Sequence, residues 1–302
     1  MTQWVFDLGN SRMKCAPLRA DGRLGEVRAL GYGDDVAGAL DDAIPAAVTG
    51  EAASAVLASV ASPARTAAAV DWLTRRFGCI SIVRTQPTLA GVRIAYADPA
   101  RLGVDRFLAL LAAHARGTRA WLVVGVGTAV TIDLLDAQGR HYGGRIAPSP
   151  RLMREALQQA AAQLPAQGGD YLEFAADTRD ALASGCEGAA LGVIERSLAQ
   201  AEQRLGARPA LLLHGGGAGE LASHLDHAKL APSLVLEGVA LWARLGADGL
   251  ARLESAHADP RTDRPVGGVE PGSCRLVADP SRADAASRAR TARRCGSPAT
   301  GE

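Results

Sequence analysis

One internal echo constrains this chain more than any other feature. The segment Trp4-Val-Phe-Asp-Leu-Gly-Asn-Ser11 returns in outline as Trp121-Leu-Val-Val-Gly-Val-Gly-Thr128. Each opens with an apolar run and bends at small residues. Each then runs on to a second turn, Ala20-Asp-Gly-Arg23 in the first case and Asp136-Ala-Gln-Gly-Arg140 in the second. The order in both is strand, glycine turn, strand, hairpin. Two β-hairpins can look alike by chance, but duplication into two like domains facing a cleft explains both with one event.

The rest of the chain alternates between strand and helix patterns. Apolar runs at residues 4–8, 55–60 and 80–84 read as strands. Ser62-Pro63 supplies an N-cap and a proline at the first helical position, which opens a helix to about residue 77. Residues 103–116 read as a helix stopped by Gly117, residues 120–135 as strand, turn and strand, and the next strand runs through Ile146. Ser149-Pro150 repeats the capping device. Residues 178–205 read as helix, 209–213 as a buried strand and 238–245 as a closing helix. Repeated βαβ alternation predicts an α/β fold, with one domain over residues 1–118 and its duplicate over 119–246. After Gly246 the composition shifts to Arg, Asp, Pro, Gly, Ser and Ala with no lasting period. Hydrophobes there are too few to offset the entropy of ordering, so residues 247–302 are expected to be a disordered tail.

Composition excludes several function classes. The 33 basic and 32 acidic residues leave a net charge of +1, which argues against a strongly cationic nucleic-acid binder; the basic stretch Ser287-Arg-Ala-Arg-Thr-Ala-Arg-Arg294 reads as solvated tail. The uncharged run at residues 120–132 is about 13 residues, short of the ~20 that a membrane span needs. The start, Met-Thr-Gln-Trp-Val-Phe-Asp, does not read as a signal peptide. Cys15, Cys79, Cys186, Cys274 and Cys295 are scattered, with no CxxC pair or zinc spacing, which suits a reducing cytoplasm. Of the 33 basic residues only Lys14 and Lys229 are lysine, so a lysine beside a Gly/Asn turn stands out.

Four motifs carry candidate chemistry. In Asp7-Leu-Gly-Asn-Ser-Arg-Met-Lys14, Gly9 lets the backbone come close to a ligand. The N–H groups of Asn10 and Ser11 can donate to phosphate oxygens, Lys14 can add charge, and Asp7 can hold magnesium directly or through water; the same residues also make an ordinary hairpin turn. Gly125-Val-Gly-Thr-Ala-Val-Thr-Ile-Asp133 is the duplicate's turn, with Thr128 and Thr131 as hydroxyl donors. Val130 stands where a dinucleotide fingerprint needs its third glycine, and no GxxxxGK[ST] loop exists in the chain. His214-Gly-Gly-Gly-Ala218 follows a strand, and its bare backbone can receive a flat ring or a sugar, or simply join strand to helix. Gly103-Val-Asp-Arg106 opens a helix whose dipole favours an ionised Asp105, a competent base, while Arg106 offers a fork suited to a carboxylate; a first-turn charge pair is the plainer reading. Gly143-Gly-Arg-Ile-Ala-Pro148 and Asp177-Thr-Arg-Asp-Ala-Leu-Ala-Ser-Gly185 read as a turn and a capped helix.

Taken in order over about residues 3–245, these motifs resemble the type III pantothenate kinase family, of the acetate kinase, sugar kinase and actin superfamily. The resemblance implies two duplicated ribonuclease H-like (actin-like ATPase) domains around a central cleft. It implies ATP-dependent phosphorylation of pantothenate, the first step to coenzyme A, with Asp105 as the base. Tyr96, Gly103, Val104, Asp105, Arg106 and, from the partner of a homodimer, Thr178 would hold pantothenate. Asp7, Leu8, Gly9, Asn10, Ser11, Arg12, Met13, Lys14, Gly127, Thr128, Gly215 and Gly216 would hold ATP, with Mg2+ at Asp7.

Ser11 stands for the family's commoner Thr. Beyond that the chain departs from the family pattern in three places: the tail beyond about residue 250 has no counterpart in it, Ser149 stands after Pro148 where a Pro-Gly pair would place glycine, and the third is Gly125. Gly125 replaces the acid that binds an activating K+ or NH4+, so that dependence is open, with Asp133 or carbonyl oxygens as the candidate substitutes. A nucleotide-binding transcriptional accessory factor and a different small-molecule kinase of the same superfamily are the alternatives. Pairing of Asp105-Arg106 with both phosphate loops favours the pantothenate kinase.

Overall fold

The structure, a computed structural model, describes residues 2–45 and 50–257. Period-two alternation in strand β1 (Gln3–Leu8) decides what each side of the first sheet meets. Trp4, Phe6 and Leu8 enter one core and Val5 another, so Asp7 shares the face of Val5. β1 pairs antiparallel with β2 (Arg12–Leu18), which pairs antiparallel with β3 (Arg28–Gly31). On its other edge β1 pairs parallel with β4 (Gly50–Ser59), and β4 with β5 (Phe77–Ile82). A small hairpin, β6 (Thr88–Leu89) and β7 (Val92–Arg93), follows.

The second sheet repeats this plan. β8 (Trp121–Val126) pairs antiparallel with β9 (Ala129–Leu135), and β9 with β10 (His141–Pro148). β8 pairs parallel with β11 (Ala210–His214), and β11 with β12 (Lys229–Leu230). The orders β3-β2-β1-β4-β5 and β10-β9-β8-β11-β12 are the same topology twice, as duplication requires.

Among the described residues, seven α-helices cover the sheets: α1 (Val36–Ala43), α2 (Pro63–Thr74), α3 (Val104–His114), α4 (Pro150–Ala160), α5 (Thr178–Leu205), α6 (Ala218–Ala222) and α7 (Leu234–His257). α1 and α2 pack on Trp4, Phe6 and Leu8; α5 and α6 pack on Leu122, Val124 and Val126. α3 and α7 fill the space between the sheets, where Phe107, Leu108, Leu111, Leu234, Leu236 and Val239 join Val5, Val56, Trp121, Val123 and Leu212 in one core. The predicted caps are present: Ser62, Ser149 and Asp177 accept from the backbone N–H groups of Arg65, Leu152 and Arg179.

Several boundaries differ from the sequence reading. α2 stops at Thr74, because Phe77 is drawn into the core edge-on to Phe6, 6.0 Å between centroids, and starts β5 early. The closing helix begins at Leu234, because Leu234, Leu236 and Val239 are buried against α3, and it runs on to His257. The tail expected beyond residue 246 lies, past His257, outside the described residues. Among the described residues no helix is long and apolar enough to cross a membrane.

Candidate active site

The alternation that buries one face of each sheet aims polar residues of the other face at the N-terminus of α3. Asp7 and Lys14 come from a β1–β2 pair. Gly125, Thr131, Asp133 and His214 share faces with the inward-pointing Val123, Leu135 and Leu212. Asp105 and Arg106 open α3 between them.

The first loop spans Gly9 to Arg12 and is closed by Gly9 N–H donating to the Arg12 carbonyl at 3.0 Å. Its carbonyls are held from outside: Tyr32 hydroxyl donates to Gly9 O, and Arg65 Nη1 to Asn10 O at 3.2 Å. With the carbonyls tied back, the exposed Asn10 and Ser11 edge is presented to solvent. Tyr32 and Arg65 lie far from the loop in sequence, in no motif, and nothing in their spacing announces the role. The second loop, Gly127-Thr128, is anchored by Ser149, whose buried hydroxyl donates to Thr128 O at 2.9 Å while accepting from Leu152 N–H. That accounts for a serine where the family pattern has glycine.

The loops meet. Ser11 Oγ and Thr128 Oγ1 are 3.2 Å apart. The glycine run closes the third side: Gly217 N–H donates to Val126 O at 3.1 Å, and Gly215, at φ +95°, leaves no room for a Cβ against Val126. A Cβ on Gly216 would lie 2.9 Å from Arg12 Nη1, so the first loop's arginine reaches over the bare backbone of the third motif. Leu8 and Met13 have their side chains in the core, so only their main chain can face a nucleotide. Lys14 is turned to the Pro232 carbonyl ahead of α7 rather than to the loop.

Two carboxylates stand below the loops. Burial, with Asp105 nearby and Lys14 opposing, pushes Asp7 up to about 7. Burial also raises Asp105, against the Arg106 N–H, which donates to Oδ1 at 2.8 Å, and the Arg106 charge. Oδ1 of Asp105 curls back over the helix start, where a Cβ on residue 103 would lie 2.7 Å from it and would push the carboxylate aside. Asp7 accepts no hydrogen bond from a described residue. A desolvated, unpartnered carboxylate beside exposed phosphate-type loops suits a magnesium ion, which takes one or two carboxylates plus phosphate oxygens and water. Among the described residues no cluster of three or more His, Cys, Asp or Glu could hold a metal by itself.

Arg106 does not offer its fork to a ligand. Its Nε and Nη2 donate to Asp133 Oδ2 and Oδ1 at 2.8 and 2.6 Å, and Nη1 to the Tyr96 hydroxyl at 3.2 Å. Arg106 is 6% exposed and Asp133 3%. Burial would raise Asp133, but hydrogen bonds from His141 and Arg106, and the Arg106 charge, hold it below the usual carboxylate range. The expected carboxylate fork is thus corrected to a bidentate internal pair.

The same pairing bears on the surroundings of Gly125. Both Asp133 oxygens already accept hydrogen bonds, Oδ1 from Arg106 and His141 and Oδ2 from Arg106. The space a side chain on residue 125 would fill holds Thr131 Oγ1 and His214 Nε2, 2.7 and 2.9 Å from the Cβ position. His214 is driven down to about 4 by burial and Lys14, hence neutral. The residues present do not fit a K+ site. Thr178, at the exposed start of α5, makes no hydrogen bond to Tyr96 or Arg106 of its own chain.

A duplicated sheet pair that turns two hairpin loops and a glycine run toward the buried carboxylates Asp7 and Asp105 is an arrangement suited to a phosphotransferase. Comparison with known proteins narrows this. The type III pantothenate kinase family model matches residues 4–200. The type III pantothenate kinase of Stenotrophomonas maltophilia strain K279a is 58% identical over 244 residues, covering 80% of this chain and 98% of that protein. Those of Xanthomonas euvesicatoria pv. vesicatoria and Xylella fastidiosa are 55% and 52% identical, covering 82% of this chain and 99% and 100% of theirs. The chain belongs to the type III pantothenate kinase family. Among solved structures, one assigned to the Baf family of transcriptional activators from Campylobacter jejuni has a TM-score of 0.53 at 18% identity, covering 81% of this chain and 99% of that one. One assigned as a 2-dehydro-3-deoxygalactonokinase from Sinorhizobium meliloti has 0.50 at 15%, covering 80% and 98%. These two likenesses concern the fold alone.

Proposed function

We propose that this chain transfers the γ-phosphoryl group of ATP to the primary hydroxyl of pantothenate, giving 4′-phosphopantothenate, the first step of coenzyme A biosynthesis in the cytoplasm. The observation that carries the reading is the position of Asp105, a carboxylate with a raised pKa at the N-terminus of α3, close to Asp7. Family membership and the 52–58% identity to named kinases support it.

The two halves, residues 1–118 and 119–246, divide the work. The loop at Asp7 to Lys14 and the loop at Gly127-Thr128 hold the phosphates through backbone N–H groups and the Ser11 and Thr128 hydroxyls. Gly215 and Gly216 leave room for the nucleoside. Arg12 lies between phosphates and glycine run. Magnesium, held by Asp7 and phosphate oxygens, would neutralise charge on the transferring group. Tyr96, Gly103, Val104 and Arg106 shape the pantothenate side. Asp105 accepts the hydroxyl proton as the oxygen bonds to the γ-phosphorus and the bond to ADP breaks. Burial raises its basicity toward the working pH, and the remaining demand on the protein is positioning.

Thr178 completes the site only from a second copy. Exposed apolar side chains support this reading: α4 has no buried residue and carries Leu152 and Leu157, while Ile146 and Phe174 are 67% and 97% exposed.

The test is ADP release by purified protein with and without pantothenate. Pantothenate-stimulated release supports the kinase. Nucleotide binding without turnover would overturn it in favour of an accessory factor, and turnover only with another alcohol would point to a different kinase.

A further inference from the structure

The clamp of Arg106 and Tyr96 rests on a third residue that no motif above includes. His141 opens β10 and is 2% exposed. The N–H of Ala95, the residue before Tyr96, donates to His141 Nδ1 at 3.3 Å. Nδ1 therefore accepts, and the ring proton sits on Nε2, which donates to Asp133 Oδ1 at 2.9 Å. The imidazole lies parallel to the Tyr96 ring, 5° between planes and 6.2 Å between centroids.

One imidazole thus ties together three parts that sequence keeps apart. It fixes the backbone that leads into Tyr96. It supports the face of the Tyr96 ring. It also supplies the Asp133 oxygen with a second donor beside Arg106 Nη2, leaving Asp133 in one orientation. The local chain is built to allow this. The ladder between β9 and β10 shifts register between His141 and Gly144, and a Cβ on Gly144 would collide with Ile132 O, Asp133 Oδ1 and Arg106 Nη2. The irregularity brings the backbone of β10 against the Arg106–Asp133 pair, with His141 at its start.

We infer that His141 is a positioning residue for pantothenate, acting through Asp133 and Tyr96 to hold the Arg106–Tyr96 wall in its binding geometry. This rests on the reading of that wall as the pantothenate side of the site. Buried hydrogen-bonded partners of this kind orient a binding group without touching the ligand.

The experiment compares wild type with His141→Phe, which keeps a ring but neither hydrogen bond, and His141→Gln, which keeps a donor for Asp133. Steady-state constants for both substrates and calorimetric pantothenate binding are measured on the full chain. The inference predicts that His141→Phe raises the pantothenate KM and Kd about tenfold or more, with the ATP KM unchanged, and that His141→Gln recovers most of the loss. Equal pantothenate constants in all three proteins would overturn it. So would a parallel rise for both substrates, or unfolding of both variants by circular dichroism, since His141 would then serve the fold at large. A wild-type chain that neither binds nor phosphorylates pantothenate would instead overturn the functional reading beneath it.

Discussion

The hydroxyls of Ser11 and Thr128, equivalent positions in the two repeats, stand 3.2 Å apart where the loops of the two sheets meet. Each is the other's hydrogen-bond partner in this structure, and each is free to turn toward a phosphate oxygen. Removing either hydroxyl should weaken ATP more than pantothenate. Ser11→Ala and Thr128→Ala are each expected to raise the ATP KM about tenfold, as loss of one hydrogen bond to a charged group costs about 1.5 kcal/mol. The double variant should fall short of the product of the two, because the groups share a partner. Initial-rate kinetics over both substrates checks this.

Asp105 links turnover to stability with opposite signs. Burial raises its folded pKa above the ordinary 3.8, so the folded chain holds the proton more tightly than the unfolded one. That contribution is fully present below the ordinary value and is lost as pH rises through the folded one. At pH 8 the ionised carboxylate therefore costs stability. Asp105→Asn should lower kcat about 10²–10⁴-fold while its melting temperature at pH 8 equals or exceeds that of wild type. Wild-type turnover should rise with pH along an acid limb displaced above the usual carboxylate range. Near-normal turnover in Asp105→Asn would remove the residue from its role.

Much of this architecture is legible in the sequence. The echo of Trp4 to Ser11 in Trp121 to Thr128 anticipates the repeated strand order, and Ser62, Ser149 and Asp177 mark helix starts because a cap is a local interaction. Glycine runs mark close approaches for the same reason. What stays hidden is set by pairing across the fold. The fork of Arg106 reads as open to a ligand until β9 delivers Asp133 beneath it, and β10 adds His141. Tyr32 and Arg65 shape the first loop from elements that periodicity places near it only once the first sheet is assembled. α1, eight residues long, was too short a periodic stretch to stand out.

Monovalent cations should not activate this kinase. Gly125 carries no carboxylate, Asp133 is paired with Arg106 and His141, and a neutral His214 occupies the neighbouring space. Initial rates in sodium, potassium and ammonium salts at equal ionic strength are expected to agree. A strong rise in potassium or ammonium would mean that carbonyl oxygens alone build a site there.

The exposed apolar face offers a separate test. Phe174→Asp puts a charge at an aromatic side chain that is 97% exposed in the segment joining α4 to α5. Sedimentation should show wild type as a dimer and the variant as a monomer. Its kcat/KM for pantothenate should fall about tenfold, a change ordinary for an interface anchor, because Thr178 leaves the partner's site. A monomeric variant with full activity would detach Thr178 from pantothenate binding.

The account turns on where the Asp105 carboxylate sits once both substrates are bound. A crystal structure with a non-hydrolysable ATP analogue and pantothenate measures it directly. An Asp105 carboxylate oxygen about 2.6–3.2 Å from the pantothenate hydroxyl, or joined to it through one water, is the predicted result. A carboxylate turned away, with the hydroxyl served by another residue, would contradict the account.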